Sequence, residues 1–174
     1  MSKETAKQIR DLLKKELKVT NKQVSVKSPH YSSVVVTVKD LSVDFNKVKD
    51  IAESFEVIRR CEASQEILCG GNTFIDVRLD SDALDKASEE YLTFAEKCFH
   101  NFGDFENKVI FGNERYEVAL SKSDYGYFDI ILYDCNMRKY ARQVRSHEAV
   151  ARFFAEVDAL FEVKILPQIS NKFK

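Results

Sequence analysis

Apolar residues recur every three or four positions at the start of the chain: Ala6, Ile9, Leu13 and Leu17. That spacing places them on one face of a helix over 3–18 and leaves Lys7, Lys14, Lys15 and Lys18 largely to solvent. The period then changes to two. Residues 22–27 alternate, Ser28-Pro29-His30 interrupts them, and the β-branched run 33–39 resumes, which predicts a hairpin with a loop of several residues. Phe45, Val48, Ile51, Ala52 and Phe55 return to helical spacing over 45–56, with Asp44 placed to cap that helix. Two strand-like runs, 57–62 and 73–79, follow.

A long helix is predicted over 82–102 from Ala87, Tyr91, Phe94, Cys98 and Phe102, with Asp80 or Ser81 as its cap and Gly103 as its stop. Strands are expected at 108–111, 114–121, 126–133 and 137–144, with a turn at Ser123-Asp124-Tyr125-Gly126. Ser146 can cap a last helix over 147–162, and Pro167 ends regular structure. The whole reads as an α+β fold of antiparallel hairpins packed with four helices, αββαββ followed by αβββ(β)α. It divides near residue 80 into lobes 1–80 and 81–174, or forms one compact domain.

With 174 residues and 44% hydrophobic content, the chain can bury a genuine core. Net charge is only −1, but it is unevenly spread. Residues 1–27 hold eight Lys/Arg against three Asp/Glu, residues 80–106 eight Asp/Glu against two Lys, and residues 138–152 five Lys/Arg against one Glu. Distinct basic and acidic regions are therefore expected, each able to steer a different partner. The N-terminus lacks the apolar stretch of a secretory signal, and no apolar run approaches the roughly 20 residues of a membrane span. A cytosolic protein with reduced thiols is the expectation.

Candidate chemistry is sparse. Gly70-Gly71 is followed by Asn72-Thr73 and a β-branched run, with neither the further glycines nor the helix that a phosphate loop needs, so it reads as a turn. Cys61, Cys69, Cys98 and Cys135 form no C-x-x-C pair, and His30, His100 and His147 are far apart, so no metal and no cofactor is expected. No spacing joins a nucleophile, a base and an oxyanion donor, which points away from an enzyme. What stands out is charge. Asp82, Asp85, Glu89 and Glu90 crowd the start of the long helix as a candidate acidic, partner-binding face. Lys7, Arg10, Lys14, Lys15 and Lys18, with Arg138, Lys139, Arg142 and Arg145 around Tyr140, are candidate nucleic-acid contacts.

One stretch resembles a known family. Ala6, Ile9, Arg10, Leu13 and Lys14 on the first helix, Ser25, Val26 and Ser28 on the next strand, Tyr31-Ser32, and the β-branched run Val34 to Val38 are similar to large polyvalent protein-associated domain 29. Ser33 stands where that family has a glycine, and Asp40-Leu41-Ser42 where it has Asp-Gly-Pro. The resemblance covers about residues 4–56. It carries over no catalytic residue and implies a setting, a phage or other mobile genetic element acting in a bacterial cytosol. By analogy with small proteins of such elements, the expected function is binding: an inhibitor of anti-CRISPR type that occupies a surface of a bacterial defence nuclease or its ribonucleoprotein complex. The alternatives are a nucleic-acid-binding accessory protein and a small cysteine- or carboxylate-dependent enzyme. No membrane partner is expected.

Overall fold

The computed structural model describes residues 2–100, 107–122 and 126–165. The chain forms an α+β fold that separates into two compact units, Met1–Ala83 and Leu84–Lys174.

The first unit is a three-stranded sheet with helices on one face. Helix α1 (Ser2–Leu17) buries Ala6, Ile9 and Leu13, the stripe set by its three-and-four spacing. It ends at Lys18, which takes the left-handed conformation (φ 55°) usual just past a helix C-terminus. Strands β1 (Val24–His30) and β2 (Ser33–Val38) pair antiparallel, joined by the two residues Tyr31-Ser32. The hairpin is thus tighter than the residue pattern predicts. Residues 28–30 do not end β1. Two residues of β1 oppose one of β2 between Lys27 and His30, so Pro29 sits in a bulge of an edge strand, where its missing N–H costs no ladder bond.

Asp44 caps α2 (Phe45–Glu53) by accepting a hydrogen bond from the Lys47 backbone N–H at 3.0 Å. Strand β3 (Phe74–Leu79) then pairs with β2 in parallel, giving the order β1-β2-β3. The expectation of antiparallel hairpins throughout is corrected here. A helix lies between β2 and β3, and such a crossover returns the chain in the same direction. The expected strand at 57–62 is not one either. Residues 54–73 form an arm held by two isolated bridges, Val57 to Thr73 and Arg60 to Ile67. Within it Gly70 and Gly71 both take positive φ, and no helix follows them.

Val34, Val36 and Val38 face the helices and are fully buried, beside Val24 and Val26 of β1 and the inward Ile75, Val77 and Leu79 of β3. Alternation then fixes the other face: Ser25 and Lys27, Val35 and Thr37, and Phe74, Asp76 and Arg78 point away from α1 and α2.

The second unit is a four-stranded antiparallel meander, β4 (Asn107–Gly112), β5 (Tyr116–Lys122), β6 (Phe128–Asp134) and β7 (Met137–Val144). The helix expected over 82–102 is interrupted. It comprises α3 (Ser81–Ser88), a 3₁₀ turn at Glu89–Tyr91 and α4 (Leu92–His100), while residues 101–103 lie outside the described residues. Ser88-Glu89-Glu90 offers no apolar residue to hold a regular turn against the core, and Tyr91 swings inward after it, 6% exposed. The cap at its start is Asp80, which accepts from the Ala83 backbone N–H.

Ser146 accepts from the Ala149 backbone N–H and starts α5 (His147–Phe161), whose Val150, Phe153, Phe154 and Val157 fill the core. Cys135 and Asn136, both at positive φ, turn β6 into β7 as a two-residue hairpin loop. Of the turn expected at 123–126, residues 123–125 lie outside the described residues, as does Pro167.

Candidate functional site: the charged surfaces

The exposed side of α1 carries Lys3, Lys7, Lys14, Lys15 and Lys18. At 1.5 Å per residue the helix spans about 24 Å, a length over which cations can follow a polyanion, and exposed Glu4, Asp11 and Glu16 interleave with these lysines. Arg10 has a different role. It is half-buried, and its Nε donates to the Val26 backbone oxygen at 3.3 Å, which ties α1 to edge strand β1. Residues 1–39 hold nine Lys/Arg against three Asp/Glu, and residues 40–83 five against ten. Because α1 lies over β1 and β2, and α2 lies beside β3, the α1–β1 side of this unit is basic and the α2–β3 side acidic.

The helix-free face of the sheet adds cations that the residue pattern did not single out. Ser25, Thr37 and Arg78 align in one row across the three strands. Lys27 lies on one side of that row and Lys39 on the other, both exposed. Together with Asp80 these residues line a depression of 460 Å³. Arg78 is 3.8 Å from Asp76 of the same strand, a loose pair with both side chains more than half exposed. Lys27 and Lys39 have no ion pair among the described residues. At the far end of the same face stands Phe74, 37% exposed, and next to that end the hairpin turn carries Tyr31, 78% exposed. There too lies Ser33, whose Oγ is shielded from solvent and has no hydrogen-bond partner among the described residues. The signal that could have revealed this face is the strand period. Once Val34, Val36 and Val38 are inward, Thr37, Arg78 and Lys27 must be outward.

The basic segment of the second unit is not assembled into one surface. A bulge in β7 opposes two residues to one of β6 near Tyr133, which throws Lys139 out of alternation. Lys139 Nζ lies 5.9 Å from the Phe161 ring centre, and the Arg145 guanidinium lies over Tyr127 at 4.3 Å. Arg142 stacks on Tyr140 at 4.8 Å and pairs with Glu156 at 3.3 Å, on the face that α5 covers. Burial, with Glu156 beside it, pushes the Tyr140 hydroxyl up to about 12. Arg138 alone of the four is exposed with no such contact among the described residues.

The acidic candidates are likewise divided. Asp85 is ion-paired with Arg152 of α5 and is therefore not a free carboxylate. Asp82 lies in the first turn of α3, while Glu89 and Glu90 belong to the 3₁₀ turn, where the regular spacing of neighbours three or four apart is lost. Asp82, Glu89 and Glu90 are exposed.

The thiols differ in environment. Burial pushes Cys98 up to about 11, which suits a packed side chain of the α4 stripe. Hydrogen bonds from the Ser64 side chain and backbone hold Cys61, in the arm, below the ordinary thiol range. No group of three His, Cys, Asp or Glu side chains among the described residues is arranged to hold a metal ion. No helix among them is long and apolar enough to cross a membrane. Comparison with protein-family models, curated proteins and solved structures finds no match for this chain.

Proposed function

We propose that the protein acts by binding and that its first unit holds nucleic acid, as an accessory protein of a mobile genetic element in the cytosol of a bacterial host. The setting rests on the resemblance of residues 4–56. The observation that carries the binding is the gathering of charge: nine Lys/Arg against three Asp/Glu in residues 1–39, which fold together as α1, β1 and β2. Such a surface releases counterions when phosphates replace them, so its affinity falls steeply with salt. Gel shift at low and moderate salt tests it. A salt-sensitive shift supports the reading, and no shift at micromolar protein and low salt overturns it.

A second reading, an inhibitor of a bacterial defence nuclease, is favoured by the exposure of Asp82, Glu89 and Glu90 at the start of the acidic segment. Carboxylates placed like phosphates can fill a basic groove of such an enzyme. Affinity capture from bacterial lysate separates the two. Partners lost on nuclease treatment favour the accessory protein, and a nuclease-resistant defence complex favours the inhibitor.

A further inference from the structure

We infer that the helix-free face of the β1-β2-β3 sheet is a platform for single-stranded nucleic acid, with bases stacked at its Phe74 end and phosphates held at its Arg78 end. The inference rests on the nucleic-acid reading above and assigns that reading a surface and a strandedness.

The face has two chemistries in sequence along β3. Phe74 and Arg78 are four residues apart on one side of the strand, about 13 Å at the usual rise. Phe74 is an exposed aromatic on a face that is polar apart from the half-buried Val35, and Tyr31 stands beside the strand end it shares, since the Phe74 backbone N–H donates to the Ser32 oxygen at 2.8 Å. An exposed ring offers a base a stacking partner, which is worth binding energy whatever the base. At the other end Lys27, Lys39 and Arg78 surround a shallow basin floored by the hydroxyl-bearing Ser25 and Thr37. Cations and hydroxyls together are the usual donors to phosphate oxygens.

Charge complementarity makes the occupant an anion, and the aromatic end makes it a polymer with free base faces. A duplex keeps its base faces inside the stack, so it could use the cations but not Phe74 or Tyr31. An acidic peptide could likewise use only the basic end. The carboxylates on and beside this face, Asp76 and Asp80, make no ion pair with Lys27 or Lys39 among the described residues. Asp76 is spent loosely on Arg78, and Asp80 accepts from the Ala83 backbone N–H as a helix cap.

The test is fluorescence anisotropy with a labelled oligothymidylate of about 12 nucleotides, a duplex of the same length, and poly-glutamate. The full chain is used, with Phe74→Ala, the pair Lys39→Glu and Arg78→Glu, and the helix set Lys7→Glu, Lys14→Glu and Lys18→Glu. The expected result is preference for the single strand and a loss of about 10-fold or more in Phe74→Ala. The Lys39/Arg78 pair should lose more, and the helix set less than either. With three cations engaged, the log–log salt slope should be about −2. Unfolding curves identify any variant that fails to fold, and the Lys39/Arg78 pair, at exposed positions, keeps the test decisive if Phe74→Ala does. Duplex bound as well as the single strand, with the helix set decisive, overturns this inference while the nucleic-acid reading stands. Poly-glutamate bound as tightly as the oligomer also overturns it in favour of an acidic protein partner. No binding to either nucleic acid overturns both.

Discussion

Each sheet of this protein keeps its helices on one face, and the two remaining faces have opposite chemistry. On the β1-β2-β3 sheet the row Ser25, Thr37, Arg78 is polar and lies between Lys27 and Lys39. On the meander the central row is apolar, with Val109, Ala119, Ile131 and Ala141 each paired to the next across β4 to β7. The apolar row covers itself in part. Ala119 in its middle, flanked by Val109 and Ile131, is 4% exposed, although Val109 at the edge is 52% exposed. The charged face has no comparable way to satisfy itself. Like cations repel, and of the three only Arg78 has an ion pair among the described residues, a loose one with Asp76. An apolar row of this kind is a packing solution, whereas a face that gathers Lys27, Lys39 and Arg78 around hydroxyls suits an anionic partner.

The contrast can be broken by exchanging charge between the faces. Reversing Lys27, Lys39 and Arg78 to Glu together should weaken oligonucleotide binding by at least about 100-fold, since each lost phosphate contact is replaced by repulsion. Ile131→Lys on the meander should leave binding unchanged, by the same anisotropy measurement. Equal losses from both variants would mean that the two faces do not differ in function.

The contrast is sharpened by perturbing one unit while reading the other. Asp158 of α5 accepts from the Tyr91 hydroxyl at 2.6 Å and from the Ile165 backbone N–H at 2.9 Å, so it pins both the 3₁₀ turn and the segment after α5. Asp158→Ala should cost about 2–3 kcal/mol in urea unfolding, the usual range for hydrogen bonds to a charged group that leave a buried donor behind. It should not change oligonucleotide affinity under native conditions.

A smaller effect belongs to the first unit. Asp44→Ala removes the α2 cap and should cost about 1 kcal/mol in thermal unfolding. The backbone N–H of Lys47 holds the Asp44 carboxylate below its ordinary value of 3.8. A lowered folded-state value stabilises the folded form above the unfolded value and ceases to do so as the pH falls through the folded one. The difference between wild type and Asp44→Ala should therefore be constant at neutral pH and shrink below about pH 4. Smallest of all, Asp85→Lys breaks the exposed pair with Arg152. It should cost less than about 1 kcal/mol, and less again at high salt.

Much of the fold could be read from the residue pattern, because burial writes its period into the chain. Ala6, Ile9 and Leu13 mark α1, Val34, Val36 and Val38 mark β2, and Asp44 and Ser146 announce their helices as caps. Pattern failed where tertiary pairing decided. Pro29 looks like a break, yet an edge-strand bulge accommodates it. Residues 57–62 read as a strand-like run but find only isolated bridges. The direction of β3 depends on the crossover and not on its own residues. Charge was the least legible property. Arg142, Arg145 and Lys139 look like a basic cluster in the chain, but Glu156, Tyr127 and Phe161, all distant in sequence, take them up. The strand period marks the outward residues of the sheet face, but only the register puts Arg78 beside Thr37, more than forty positions away.

Nucleic acid held on the helix-free face of the first sheet would leave its mark on the backbone amides of that sheet. Amide chemical shifts of the isotopically labelled protein, followed as unlabelled oligothymidylate is added, test it most directly. The expected shifts are concentrated at Ser25, Lys27, Thr37, Lys39, Phe74 and Arg78, with the β4–β7 strands unmoved. Shifts that instead cluster on the exposed side of α1, or on the meander, would contradict it.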